Sequence, residues 1–206
     1  MKNLFAIAAV AGLAGASMAG GFTVYAVAPA VVNPGDTYTV EFWAEFSDAR
    51  FINGTGVGTS AIAGFGLDAL GTGNIAGVST ASINASLLFG SNTGVAGGGN
   101  VTGIIGGQLA NLFGFLNPNI NQNNPIMLFT IDVTAGAGGF ITYTAGNPNV
   151  NGGLSFYPDS QDGASIVAPN DPSTSLNFIG ASTFVVPAPA SLALLGLGAM
   201  AARRRR

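Results

Sequence analysis

Thr37-Tyr38-Thr39-Val40-Glu41-Phe42-Trp43-Ala44-Glu45-Phe46-Ser47 alternates without a break. The even positions, Tyr38, Val40, Phe42, Ala44 and Phe46, are apolar, whereas the odd positions are Thr37, Thr39, Glu41, Trp43, Glu45 and Ser47. Side chains of an extended chain point alternately to opposite faces, so this stretch reads as a strand with one face in a core and the other mostly polar. The preceding Asn33-Pro34-Gly35-Asp36 is a turn signal that joins it to an earlier extended run, Thr23 to Val32.

Further strands are expected at Ala61 to Leu70, Ile75 to Ser79, Ala81 to Phe89, Ile126 to Thr134, Gly139 to Ala145, Gly153 to Tyr157, Ala164 to Val167 and Leu176 to Val186. In the Ile126 run, Met127, Phe129, Ile131 and Val133 alternate with less apolar partners. Ile104, Ile105, Gln108, Leu109, Leu112, Phe113 and Leu116 instead recur at three- and four-residue steps, which predicts one short helix, and Asn117 to Asn124 then reads as a loop. Glycine makes up 32 of 206 residues, roughly twice its usual share of about 7%. Such a composition is shared with disordered chains, but disordered linkers do not show clean period-two alternation. The expectation is all-β: a β-sandwich of roughly eight to ten strands with one short helix.

There is no cysteine and no histidine. The first absence removes disulfide staples, thiolate metal sites and cysteine nucleophiles, and the second removes the usual base of a serine triad. Lys2 and Arg203 to Arg206 lie in the terminal segments, leaving Arg50 as the one base between them, against all nine acids. That middle region has a net charge of −8. A domain with a single base cannot neutralise several phosphates, so nucleic acid is excluded as a partner and anionic headgroups are disfavoured.

The two ends read as addresses. Met1-Lys2-Asn3 precedes the apolar run Leu4 to Ala16 and then small residues, the pattern of a secretory signal peptide, with Ser17 and Ala19 at −3 and −1 and cleavage after Ala19. At the other end, Val185-Val186-Pro187-Ala188-Pro189-Ala190-Ser191 leads into Leu192 to Ala202 and the basic cluster Arg203, Arg204, Arg205 and Arg206. This order resembles the PEP-CTERM sorting tail of Gram-negative bacteria: a Pro-Glu-Pro-like motif, a hydrophobic segment and a terminal basic cluster. Ala188 stands where that family most often has glutamate. The resemblance implies retention at the inner membrane until an exosortase-type transpeptidase cuts near Pro187, Ala188 and Pro189. As a helix, Leu192 to Ala202 would span roughly 16 Å against a hydrocarbon core of about 30 Å, with the arginines snorkelling to the cytoplasmic interface. The expectation is a transient membrane hold. The division is residues 1–19 signal helix, 20–184 sandwich domain and 185–206 sorting tail with a short hydrophobic helix.

Pro34 to Val40, together with Pro125-Ile126-Met127-Leu128-Phe129-Thr130-Ile131-Asp132-Val133, is similar to paired core strands of cohesin-like and carbohydrate-binding sandwiches. The resemblance guides the fold and carries no binding residues with it.

Candidate sites are few. Trp43, the one tryptophan, falls on the polar face beside Glu41 and Glu45, an arrangement that can stack a sugar ring and bind its hydroxyls. The alternative is a ring packed beneath the helix or a loop. Glu41 and Glu45 fail as a glycosidase pair, because four residues along a strand cover about 13 Å, beyond the roughly 5–9.5 Å that such pairs use. Asp159, Asp162 and Asp171 form a candidate calcium set, with solvated turn aspartates as the plainer reading. The glycine cluster from Gly94 to Asn100 reads as turns. Gly77-Val78-Ser79-Thr80-Ala81 distantly resembles a nucleophile elbow but has no histidine to serve it. Asn53, Asn84 and Asn100 open Asn-X-Ser/Thr triplets.

The function expected is that of an exported, non-catalytic surface or matrix protein with a structural or adhesive role and no required cofactor. A glycan-binding module using Trp43 is the alternative. Expected partners are the export machinery, an exosortase-type enzyme and extracellular polysaccharide.

Overall fold

Residues Thr37–Phe46 form a single strand whose Tyr38, Val40, Phe42 and Ala44 are buried while Thr37 and Thr39 are exposed. The computed structural model describes residues 21–46, 61–109, 111–112, 115–116, 120–146, 154–157, 165–167 and 175–187. The strands are β1 (Gly21–Val27), β2 (Val31–Val32), β3 (Thr37–Phe46), β4 (Ala61–Thr72), β5 (Ile75–Val78), β6 (Ser82–Ile83), β7 (Asn92–Gly97) and β8 (Asn100–Gly107). They continue with β9 (Asn111–Leu112), β10 (Phe115–Leu116), β11 (Ile126–Ala135), β12 (Gly139–Gly146), β13 (Leu154–Tyr157), β14 (Ser165–Val167), β15 (Ser175–Ile179) and β16 (Ala181–Val185). These segments outnumber the eight to ten expected because breaks and two-residue pieces divide the longer runs.

Two sheets carry the fold, which is a β-sandwich. One has the order β15-β1-β3-β11-β5, with β6 also on β11. The other runs β14-β13-β4-β12-β16-β2, with β8 on β4 and β7 on β8. Apolar faces of the two sheets meet in one core, where Phe129 stacks on Phe42 of its own sheet at 4.6 Å and on Phe65 of the opposite sheet at 5.6 Å. Burying a side chain of this size contributes about 1.5–3 kcal/mol.

The first and last described strands lock the sheets together. β1 pairs with β15 in parallel in one sheet, and just beyond, β2 pairs with β16 in parallel in the other. Both segments therefore cross the sandwich side by side. At the crossing, a Cβ on Gly180 would lie 2.9 Å from the Tyr143 carbonyl oxygen, so only glycine lets the backbones approach this closely.

Several expectations are corrected. The predicted helix over Ile104 to Leu116 is absent: Val101 and Ile104 are fully buried on β8, which pairs with β4, and β9 and β10 pair with each other. Gly106 and Gly107 explain this, since glycine costs about 1 kcal/mol each in a helix and frees the backbone for close pairing. A side chain at Gly106 would collide with the Phe65 ring. Gln108, counted on the helical face, is buried and donates to the carbonyls of Ile62 at 2.6 Å and Asn121 at 2.9 Å. The strand expected over Ala81 to Phe89 stops at Ile83 and gives way to a 3-10 turn, Ala85–Leu87, capped by the Asn84 side chain. The Gly94 to Asn100 cluster is largely strand; the turn is Gly98-Gly99, at φ +57° and +83°, joining β7 to β8 as a two-residue hairpin loop of the kind that matches strand twist. The expected signal helix, residues 1–19, and the expected hydrophobic helix, Leu192 to Ala202, lie outside the described residues. No helix among the described residues is long and apolar enough to cross a membrane.

Candidate functional site

β3 lies inside the six-stranded sheet, between β1 and β11, so its outward side chains gain neighbours on both sides. Trp43 stands opposite Tyr25 on one flank and Met127 on the other. Tyr25 in turn stands opposite Ile179 of β15. Ile179, Tyr25, Trp43 and Met127 thus make a transverse row over four strands spaced about 4.8 Å apart.

Met127 joins this row because of a bulge. The register of β11 on β3 passes from Met127 opposite Trp43 to Phe129 opposite Phe42, leaving Leu128 as the extra residue. Ile126, Leu128, Phe129, Ile131 and Val133 point inward, and Met127 is half-buried on the outer face. The simple alternation expected for Met127, Phe129, Ile131 and Val133 therefore fails at Met127.

Polar rows border the apolar one. On one side Glu45 faces Thr23; on the other Glu41 lies between Val27 and Thr130. The indole Nε1 of Trp43 donates to Glu41 Oε2 at 2.9 Å, which fixes the ring edge. Partial burial pushes the Tyr25 phenol above its ordinary value, and the negative charge of Glu45 adds to the push. Further along, Thr39 Oγ1 donates to Asp132 Oδ1 at 2.7 Å, and the Thr37 and Thr134 hydroxyls share a hydrogen bond at 3.0 Å. Glu41 and Asp132 occupy diagonal positions on adjacent strands, the one bonded to Trp43 and the other to Thr39.

The structure therefore places Glu41, Trp43 and Glu45 together on one face, as the alternation predicts, and adds Tyr25, Met127 and Ile179. The alternation within Thr23 to Val32 could have put Tyr25 outward. Its position opposite Trp43 required the pairing register.

Other motifs have structural duties. Ser79 Oγ donates to the Thr80 carbonyl and accepts from the Asp132 amide, both at 2.9 Å, so the elbow-like sequence is a strand end braced against β11. Asn84 Nδ2 donates to the Met127 carbonyl, its Oδ1 accepts from Ser86, and Asn100 Oδ1 accepts from the Gly71 amide. Asn53, Ala19, Asp159, Asp162, Asp171, Ala188, Pro189 and Arg203 to Arg206 lie outside the described residues. Among the described residues no group of three or more acidic, histidine or cysteine side chains could hold a metal ion.

At the other end of the sandwich, β16 carries the chain out: the Val186 amide donates to the Val32 carbonyl at 2.9 Å and Pro187 follows, exposed. Residues 185–206 match the PEP-CTERM protein-sorting motif. A PEP-CTERM tail marks an exported protein of the cell surface or extracellular space, and it implies processing by an exosortase. No curated protein matches the chain by sequence.

Among solved structures, the chain is similar to a cohesin module from the family 33 glycoside hydrolase of Clostridium perfringens, with a TM-score of 0.48 and 10% identity over 82% of this chain and 98% of that one. It is also similar to the second type II cohesin module of the ScaA scaffoldin of Acetivibrio cellulolyticus, with a TM-score of 0.44 and 8% identity over 83% and 98%. The sixth cohesin of scaffoldin B from the same organism, solved with a Cel5 dockerin mutant, gives a TM-score of 0.41 and 8% identity over 83% and 100%. The likeness concerns the fold alone.

Proposed function

We propose that the mature domain is a non-catalytic structural or adhesive element of the cell surface or extracellular matrix, released after its PEP-CTERM tail has held it briefly at the inner membrane. The carrying observation is the sorting motif at residues 185–206 on a β-sandwich. In this reading the signal segment ends at Ala19, the tail is cut near Pro187-Ala188-Pro189, and the arginine cluster stays on the cytoplasmic side. Released domain then carries the acidic middle of the chain, which keeps it soluble and away from polyanions. Intact-mass measurement of the native protein in membrane and medium fractions tests this. The released form should lack the arginine cluster; a released form with its full C-terminus overturns the reading.

A second reading is favoured by the row on the outer sheet face. Tyr25 and Trp43 side by side, bordered by Glu41 and Glu45, offer apolar ring surface next to hydrogen-bond acceptors, which is what a neutral polysaccharide requires. A polysaccharide pull-down comparing wild type with Trp43→Ala separates the two readings. Equal retention removes the glycan site and leaves the structural role.

A further inference from the structure

The outer face of the second sheet holds an apolar patch at the point where the tail leaves the domain. Phe140 of β12 stands opposite Phe184 of β16, which stands opposite Val31 of β2. The two rings lie 5.1 Å apart, with Phe140 66% and Val31 57% exposed. Val186, two residues after Phe184 on the same face, is 37% exposed. The next outward pair on these strands is polar, with the hydroxyls of Thr142 and Ser182 sharing a hydrogen bond at 2.8 Å, so the patch ends there.

Position argues for its occupant. A Cβ built on Gly138 would lie 3.6 Å from Pro187, so the chain leaves against the turn that leads into Phe140. Only Ala188 to Ser191 separate Pro187 from the apolar run Leu192 to Ala202. The five steps from Pro187 to Leu192 reach at most about 18 Å when fully extended. A tail seated in a bilayer therefore keeps this face within reach of the headgroup layer, where exposed phenylalanine and valine side chains gain by leaving water. No Lys or Arg lies among the described residues, so no described side chain of this face draws it to anionic lipid.

We propose that Phe140, Phe184, Val31 and Val186 form a lipid-contact surface that lays the domain on a zwitterionic bilayer while the tail holds it. The proposal rests on the membrane-hold reading of the tail, and the test keeps the two apart. Full-length protein is mixed with phosphatidylcholine vesicles carrying brominated acyl chains, in two forms: wild type, whose single tryptophan is Trp43 on the opposite face of the sandwich, and the W43F/F140W variant. Both forms should sediment with the vesicles, with emission from position 140 quenched and emission from Trp43 retained. Sedimentation without quenching at position 140, or equal quenching at both positions, overturns the lipid surface and leaves the membrane hold standing. Failure of both forms to sediment overturns the hold and the surface with it. Emission from position 140 that is already blue-shifted without vesicles and unmoved by them shows the patch covered by the tail or a second copy, which also overturns the proposal.

Discussion

Trp43 Nε1 and Glu41 Oε2 are joined at 2.9 Å on the outer face of β3, two residues apart along one strand. The bond orients the indole and occupies part of the carboxylate, and both residues are half-buried. Glu41→Ala should therefore loosen the ring while changing stability by only about 0.5–1.5 kcal/mol. Lower tryptophan fluorescence anisotropy with a modest drop in the denaturation midpoint is the expected result. An unchanged anisotropy would show that packing alone holds the ring.

Phe129 is the stacking partner shared by both sheets, in contact with Phe42 and Phe65. Phe129→Ala should destabilise the domain by about 3–5 kcal/mol through lost transfer energy and the cavity left behind. The exposed Phe89 offers the contrast, since Phe89→Ala should stay within about 0.5 kcal/mol of wild type. Urea denaturation of the three proteins measures both.

Gln108 is a buried polar side chain that donates to Ile62 and Asn121 and accepts from the Asn121 amide at 2.8 Å. Gln108→Leu keeps most of the volume and strips these partners of their bonds, a cost of about 1–3 kcal/mol for buried groups left unpaired. Hydrogen exchange at the Asn121 amide should accelerate. Exchange as slow as in the wild type would count against the bracket.

Tyr143 donates its hydroxyl to the Gly99 carbonyl at 2.7 Å, and burial, followed by the nearby Tyr38 hydroxyl, pushes its phenol well above its ordinary value of 10.0. Burial also raises Tyr38, whose hydroxyl lies near Thr183 but has no partner of good hydrogen-bond geometry among the described residues. A raised folded-state value means that the unfolded chain loses the proton first. Stability is therefore fully present below pH 10 and is lost progressively as the pH climbs toward the folded-state value. Tyr143→Phe should lose about 0.5–1.5 kcal/mol at neutral pH and show a shallower alkaline decline than wild type. Thermal denaturation between pH 8 and about 11 reads both effects.

Much of the fold is legible along the chain, and particular residues show where legibility stops. Thr37 to Phe46 is read correctly because one strand between two neighbours obeys strict alternation, and the same rule turns Glu41, Trp43 and Glu45 outward. Ile104 to Leu116 is misread because apolar residues three and four apart also occur where a glycine-rich strand gives way to a short hairpin. Helical spacing there competes with pairing to β4, and the glycines decide for pairing. Met127 is misplaced because a bulge shifts the phase of a strand by one residue, and nothing local in Met127-Leu128-Phe129 announces it. Tyr25 and Ile179 enter the row with Trp43 only through register, a relation between strands far apart in the chain.

The amino-acid sequence by itself determined what depends on local order and composition: the alternation of the Thr37 strand, a chain without histidine or cysteine, and the sorting motif that marks an exported protein. Tertiary structure alone decided which strands meet, where the bulge at Leu128 turns Met127 outward, and why the tail departs beside Phe140 and Phe184. Those outcomes follow from pairing between distant segments, whose partners are selected by burial of a common core and not by any property of one segment alone.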